Sequence, residues 1–303
     1  MGIRYLNAFL KNNCKQGISK IHMEDLSGCS IVIDASIYLY QYEMDNKLIE
    51  SMDKLVNVMN MYNINPTFVF DGKPPVEKTD IINERKERRK QACIDCQELM
   101  EKINDSTIDS NDKNNLITEY EILKRTSVFI TREKINKVKQ LFNEKNIPYY
   151  DAPSEADELC AKMVQMNQCW GCMSDDMDMF VYGCNNVIRN VDIENHTAML
   201  YNLTEMLSSL NITYENFKSI CIISGTDYNK ETSENDNRNS NHINLYTALK
   251  LYNRFIKKVK YDNMTFYAWL KYYIKYDMDY ESLHKIYNMF TIDNNCATTI
   301  TVS

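Results

Sequence analysis

The sequence predicts an α/β fold built on a mostly parallel sheet flanked by helices, and three observations carry that expectation. Two continuous apolar runs, Ile31-Val-Ile33 and Thr67-Phe-Val-Phe70, each end in an aspartate, Asp34 and Asp71. Unbroken β-branched and aromatic runs are the pattern of strands buried on both faces. A helical stretch separates them, which is the strand–helix–strand order of a parallel sheet. A third strand end, Cys172-Met-Ser-Asp175, is followed by Asp176 and Asp178, so acids recur at the carboxyl ends of strands. In open α/β sheets that edge is where ligands bind.

Taken in order, Ile3 to Leu10 reads as a short amphipathic helix. Ser36 reads as the cap of a helix from about Ile37 to Tyr62, with Tyr38, Tyr40 and Tyr42 near its start. Pro74-Pro75 breaks the chain. Lys78, Arg85, Lys86, Arg88, Arg89 and Lys90 then outweigh Asp80, Glu84 and Glu87, a local excess of positive charge. Such a run is either a solvated helix face or, beside carboxylates, a phosphate clamp. Gln91 to Asn146 is polar and helical, with a break near Asn104 to Asn115. It carries further cations at Lys124, Arg125 and Arg132, then Lys134, Lys137 and Lys139.

Ile147 to Tyr150 reads as a short strand. Ser154 stands as the N-cap of the next helix, with Asp157 at the capping-box position; that helix runs on through Leu159, Met163 and Met166. Met179 to Tyr182 enters the core and stops at Gly183. Thr197 to Asn202 reads as a strand and Leu203 to Leu210 as a helix. Phe217 to Ile223 is a buried helix or strand leading to Ser224-Gly225-Thr226-Asp227-Tyr228. Asn229 to Asn241 reads as a mobile polar loop and Ile243 to Lys258 as an amphipathic helix. The Tyr-rich stretch beyond puts Phe266, Trp269, Tyr272 and Tyr273 in a core stripe, and residues 292–303 form a disordered tail.

Composition sets bounds. The 303 residues suffice for one large or two small domains, and 44% hydrophobic with 25% charged content indicates a globular protein. No apolar run approaches the ~18 residues of a membrane span, and Met-Gly-Ile-Arg-Tyr-Leu lacks a signal-peptide apolar region. Leu6 stands where a myristoylation signal wants Ser or Thr. Ten cysteines without a signal peptide indicate reduced thiols inside a cell. Cys93/Cys96 and Cys169/Cys172 form two Cys-x-x-Cys pairs, read either as zinc ligands or as buried thiols; their separation favours the second. The net charge of -7 argues against nucleic acid, unless the acids surround cations that reverse the local sign.

The acids are placed to do so. Glu155 and Asp157 are two apart, as are Asp176 and Asp178, and both pairs sit among Ala, Leu, Met, Phe and Tyr. Carboxylates in apolar surroundings are costly unless paired or bound to a cation, and hard divalent metals take oxygen ligands. Any single Asp here also serves as a helix cap or turn residue. Asp34, Asp71 and Asp227 at further element ends shift the balance toward a shared metal site. Only seven glycines occur, and Gly2, Gly72, Gly183 and Gly225 lie beside these features. There is no P-loop or dinucleotide fingerprint, and His22, His196, His242 and His284 are scattered.

Six ordered stretches resemble the flap-endonuclease family, the XPG-type structure-specific 5′ nucleases. They are Met1-Gly-Ile3, Ile33-Asp-Ala-Ser36, Phe70-Asp-Gly-Lys-Pro-Pro75, Ala152-Pro-Ser-Glu-Ala-Asp157, Ser174-Asp-Asp-Met-Asp178 with Gly183, and Gly225-Thr-Asp-Tyr228. The resemblance spans roughly residues 1–228. It implies a PIN-like sheet with a helical arch and a degenerate helix-hairpin-helix region. The implied divisions are 1–76 and 147–228 for the nuclease core, 77–146 for the arch and 229–291 for the C-terminal helices. It implies a Mg²⁺-dependent 5′ flap endonuclease or 5′→3′ exonuclease serving DNA replication, repair or recombination. Two Mg²⁺ ions, with Mn²⁺ as a substitute, would be held by Asp34, Asp71, Glu155, Asp157, Asp176, Asp178 and Asp227, Asp157 being shared. Lys78 and Arg85 would steer the scissile phosphate. Tyr40 would stack on the base beside the cut, and Gly2 would lie by the active site. Lys73, Arg88, Arg89, Lys124, Arg125 and Arg132 would guide a single strand through the arch.

The expected partner is therefore DNA bearing a 5′ flap, nick or junction, bound by a monomer in a nucleus (a host nucleus for a virus) or at a cytoplasmic replication site. The Asn- and Tyr-rich, compact chain suits the versions found in large DNA viruses. Three departures qualify the resemblance. The family has Glu where Asp157 stands. The segment between Asp34 and Asp71 is short, which implies a reduced helical wedge and 3′-flap pocket. His242-Ile-Asn-Leu-Tyr-Thr-Ala248 replaces the family's Gly-x-Gly hairpin, and no sliding-clamp motif is evident. Two other readings stay open: a non-catalytic junction-binding protein on the same fold, and a related nuclease acting on four-way junctions or RNA.

Overall fold

The computed structural model describes residues 3–104, 110–229, 243–258 and 264–292. Gly2, His242, the polar stretch after Asn229 and the tail from residue 293 lie outside the described residues, so the expectations placed on them are not addressed. The sheet has seven strands: β1 (Ile18–His22), β2 (Ser30–Asp34), β3 (Asn65–Phe70), β4 (Tyr149–Asp151), β5 (Gly171–Met173), β6 (Asn186–Asp192) and β7 (Thr197–Asn202). Their order is β1-β7-β6-β5-β2-β3-β4. The strands from β6 to β4 run parallel, and β7 and β1 add an antiparallel edge.

This order decides where a site can form. From β2 the chain winds outward through β3 to β4, then returns to β5 beside β2 and winds the other way into β6. The direction reverses between β2 and β5, and a crevice opens at the carboxyl ends of strands flanking such a point. Ile33 pairs with both Phe68 and Met173, so the strands carrying Asp34, Asp71 and Asp176 end at about one level.

Alternation along the strands feeds two cores. Ile31, Ile33, Phe68, Phe70, Met173 and Ile188 face α2 (Ala35–Met44), α3 (Leu48–Met61) and α6 (Arg132–Glu144). There Phe142 stacks on Phe68 with ring centroids 4.2 Å apart. Val32, Val69, Cys172, Val187 and Tyr201 face the opposite layer. That layer contains α1 (Leu6–Asn13), α7 (Ala156–Gln165), α8 (Asp178–Val181), α9 (Leu203–Leu210), α10 (Tyr214–Ile223), α11 (Leu245–Lys258), α12 (Phe266–Trp269) and α13 (Tyr280–Met289). Each large apolar side chain so buried contributes about 1.5–3 kcal/mol. Between β3 and β4 stand α4 (Thr79–Ile103) and α5 (Ser110–Thr126), which pack on each other. Among the described residues α4 buries only Ala92 and Leu99, so the pair stands away from both cores.

Several expectations need correction. The helix read from Ile37 to Tyr62 is two helices, parted at Asp45-Asn46-Lys47, where Asn46 takes a positive φ of 54°. Asn tolerates that backbone, and it turns the chain. The cap of α2 is Asp34, not Ser36: the Asp34 side chain accepts from the Ser36 backbone N–H at 3.0 Å. Phe217 to Ile223 lies within a helix. The expected aromatic stripe splits, because Phe266 and Trp269 are buried whereas Tyr272 and Tyr273 are about two-thirds exposed. Cys169 and Cys172 are buried thiols at the start of β5, whereas Cys93 is exposed and Cys96 half-buried on α4.

Candidate active site

Each acid reaches the sheet edge by its own route. Asp34 ends β2 and is buried, its carboxylate held by the first turn of α2. Asp71 follows β3 and bridges two elements. Its Oδ2 accepts from the Ser36 hydroxyl at 2.5 Å, and its Oδ1 accepts from the Ala156 backbone N–H at 2.9 Å. That second bond replaces the expected Ser154–Asp157 capping box. The N-cap of α7 is Glu155, whose side chain makes no cap hydrogen bond, because Asp71 satisfies the first N–H of the helix from across the site. Asp157 is thereby freed from capping. Its Oδ1 is sealed from solvent and has no hydrogen-bond partner among the described residues.

Gly72 makes the crossing possible. A Cβ there would lie 1.8 Å from the Ala152 carbonyl oxygen, while the Gly72 N–H donates to the Ser154 carbonyl at 2.7 Å. Gly72→Ala is expected to force β4 and the start of α7 away from β3. It should cost about 1–3 kcal/mol in denaturant unfolding and displace Glu155 and Asp157 together. An unchanged unfolding midpoint would show that the contact relaxes freely.

The second acidic pair follows β5. The Asp176 N–H donates to the buried Ser174 hydroxyl at 3.2 Å, and Asp176 Oδ1 accepts from the Asp178 N–H at 3.0 Å. Asp178 opens α8 and is buried behind the cleft. Asp227 lies on the turn after α10, also buried, and accepts from Arg85 Nη2 at 2.6 Å. Asp175, read from the sequence only as a strand end, secures this loop. Its Oδ1 accepts from the Asn190 N–H at 2.8 Å, and its carbonyl accepts from the buried Arg189 guanidinium at 2.6 Å.

Asp34, Asp71, Glu155, Asp157, Asp175, Asp176 and Asp227 line one cleft of about 620 Å³, and so do Tyr40, Lys78, Arg85, Arg89 and Arg125. Lys78 lies just before α4, Arg85 and Arg89 on α4, and Arg125 at the end of α5, so the helical pair forms one wall. Lys78 Nζ donates to both oxygens of Glu155, at 2.7 and 2.8 Å. Arg89 donates to the Tyr40 hydroxyl at 3.0 Å with its guanidinium 4.5 Å from the ring centre. Lys73, Arg88, Lys124 and Arg132 do not line the cleft; Arg88 pairs with Glu84 on its own helix.

The electrostatics are strained in one direction. Burial, and then the charges of Asp71 and Asp176, push Asp34 up to about 8. Burial, then Asp34 and Asp176, raise Asp157 well above the ordinary carboxylate range. Among the described residues no group of His, Cys, Asp or Glu is closed into a ready-made cation cage. The donor set nonetheless suits hard divalent cations. It is all oxygen, its like charges are gathered at one edge, and the buried Asp157 Oδ1 lacks a donor. Lys78 and Arg85 are the positive charges that Glu155 and Asp227 meet instead.

Residues 1–92 match the XPG N-terminal domain and residues 146–227 the XPG I-region. A curated relative, flap endonuclease 1 of Theileria annulata, is 31% identical over 246 residues, covering 75% of this chain and 46% of the relative. The chain spans about half the length of such curated relatives. Among solved structures, the catalytic core of Rad2 in complex with DNA substrate superposes with a TM-score of 0.64 at 21% identity, over 97% of this chain and 88% of that one. Human GEN1 in complex with Holliday junction DNA gives 0.61 at 16% identity, over all of this chain and 70% of that one. At these identities the two structures speak for the fold.

Proposed function

We propose that this chain, which belongs to the XPG family, is a Mg²⁺-dependent, structure-specific nuclease that hydrolyses DNA phosphodiesters at or near 5′ single-stranded ends. The observation that carries the reading is the cleft in which seven carboxylates from five chain segments gather with Lys78 and Arg85. In the proposed assignment Asp34, Asp71, Glu155 and Asp157 hold one ion. Asp176, Asp178 and Asp227, with Asp157 shared, hold the other. When bound, two Mg²⁺ ions (or Mn²⁺) supply an activated water and stabilise the leaving oxygen.

The chain's own residues do the rest. Lys78 and Arg85 turn toward the scissile phosphate, where charge accumulates in the transition state. Tyr40, with Arg89 on its ring, receives the base beside the cut. The α4–α5 pair serves as the arch that admits a single strand, with Arg125 at its inner end. Residues 229–291 serve as the degenerate helix-hairpin-helix region and C-terminal helices that hold duplex. The active form is read as a monomer working where cellular or viral DNA is replicated.

The test is a cleavage map on labelled 5′-flap, nicked, gapped and four-way DNA and on RNA, in Mg²⁺ and in Mn²⁺. Metal-dependent incision near the base of the flap is expected. Binding without incision in either metal would leave the junction-binding reading, against which the presence of all seven acids weighs. Preferential cutting of four-way DNA or RNA would move the substrate assignment and keep the chemistry.

A further inference from the structure

Behind Glu155 lies a chain of groups with no part in the assignment above. The Tyr228 hydroxyl donates to Glu155 Oε2 at 2.5 Å. Its ring lies under Lys78, whose Nζ is 4.5 Å from the ring centre. The Tyr182 phenol is an electrostatic neighbour of the Tyr228 phenol. Phe290 fixes both rings, with centroids 4.7 Å from Tyr182 and 5.3 Å, edge-on, from Tyr228. The positions of these phenols in the chain give the arrangement its meaning. Tyr182 closes α8, whose first residue is Asp178, and Tyr228 follows Asp227. The path Tyr182–Tyr228–Glu155 therefore ties an acid of one proposed ion to the two elements bearing acids of the other.

We propose that Tyr228, backed by Tyr182, is a positioning residue that orients Glu155 and guides Lys78 and thereby sets the spacing between the two acidic groups. The proposal rests on the metal-site reading above. Glu155 needs such a partner because it is an N-cap whose side chain makes no cap hydrogen bond. Among the described residues, the side chains that hydrogen-bond its carboxylate are Lys78 and Tyr228. If Lys78 turns toward the phosphate, Tyr228 becomes the remaining donor to Glu155. A flat ring beneath the ammonium gives Lys78 a favourable surface in either position. Groups that orient a metal-binding carboxylate commonly change metal affinity or activity by ~10- to 100-fold when removed.

Tyr228→Phe keeps the ring and deletes the hydroxyl. Its expected effects are a roughly tenfold weaker Mn²⁺ affinity in the DNA-free protein, read by Mn²⁺ electron paramagnetic resonance, and a ~10- to 100-fold lower kcat. KM for DNA should stay within about twofold. Tyr182→Phe, which removes only the hydroxyl behind Tyr228, should shift both quantities the same way by less. It serves as the readout if Tyr228→Phe does not fold. Mn²⁺ affinity and kcat both within about twofold of wild type in the folded variants would overturn the proposal. So would a lowered thermal midpoint with unchanged Mn²⁺ affinity, which marks a merely structural role. Absence of Mn²⁺ binding by the wild type would instead overturn the metal-site reading and the proposal with it.

Discussion

Replacing Asp176 with alanine is expected to abolish cleavage while leaving DNA binding within a few-fold of wild type. Asp176 lines the cleft beside the reversal point of the sheet, and its charge is felt by both Asp34 and Asp157. Removing one member of an interdependent catalytic set costs at least ~10³-fold in kcat. Binding should survive because phosphates are gripped by cations elsewhere, and losing a carboxylate reduces repulsion toward DNA. One complication is local: Asp176 Oδ1 also accepts the Asp178 N–H. Asp176→Asn preserves that acceptor and deletes only the charge, so it should be equally inactive if charge is what matters. Without metal, both variants should unfold about 1 kcal/mol later than wild type, as is common where a functional site carries strain. Cleavage by Asp176→Asn at more than a tenth of the wild-type rate would count against a metal role.

The strands that hold the site were legible because their local chemistry agreed with their tertiary role. Ile31-Val-Ile33 and Phe68-Val-Phe70 are buried on both faces and have the composition to match. β1 was not legible: Ile18-Ser-Lys-Ile-His22 is a half-exposed edge strand, held by pairing with β7 and not by an apolar run. β6 was missed for a related reason, since its apolar residues Val187 and Ile188 are flanked by Asn186, Arg189 and Asn190. The break in the long helix turned on one positive φ at Asn46, a position where Asn is tolerated but not diagnostic.

The acids of the site were readable because each stands close to the end of a strand or helix or at a helix start, so local sequence announces it. Their support was not. The Ser154–Asp157 capping box is a sound local pattern that lost to Asp71, which reaches α7 from 85 residues away. Tyr228 meets Glu155, with Tyr182 behind it, because α8 and the turn after α10 pack beside α7. Arg189 and Asp175 anchor the loop after β5 through a contact with β6. The available signal was a second Asp directly before Asp176.

Lys78→Ala separates two roles that one side chain holds in turn. In the DNA-free protein Lys78 Nζ sits on both oxygens of Glu155, and both side chains are largely shielded from solvent. Burial pulls the Lys78 pKa down, but the neighbouring Tyr228, Glu155 and Asp157 outweigh it and hold the group charged. A cation in that place repels a metal ion approaching Glu155 and shares its oxygens. Deleting it should tighten Mn²⁺ binding in the DNA-free protein by roughly 3- to 10-fold, a screened remnant of a close charge–charge term. The same deletion removes positive charge from the developing transition state and should lower kcat by about 10²–10³-fold. General damage to the site would lower affinity and rate together, so opposite movement of the two identifies charge as the cause. Lys78→Arg keeps the charge but replaces a compact ammonium with a planar fork. It should leave metal affinity near wild type and recover only part of kcat, because a guanidinium that fits Glu155 does not reproduce the reach from Glu155 to the phosphate. Weaker metal binding in Lys78→Ala would mean that Lys78 acts by holding Glu155 in place, and the task of stabilising the phosphate would then fall to Arg85 alone.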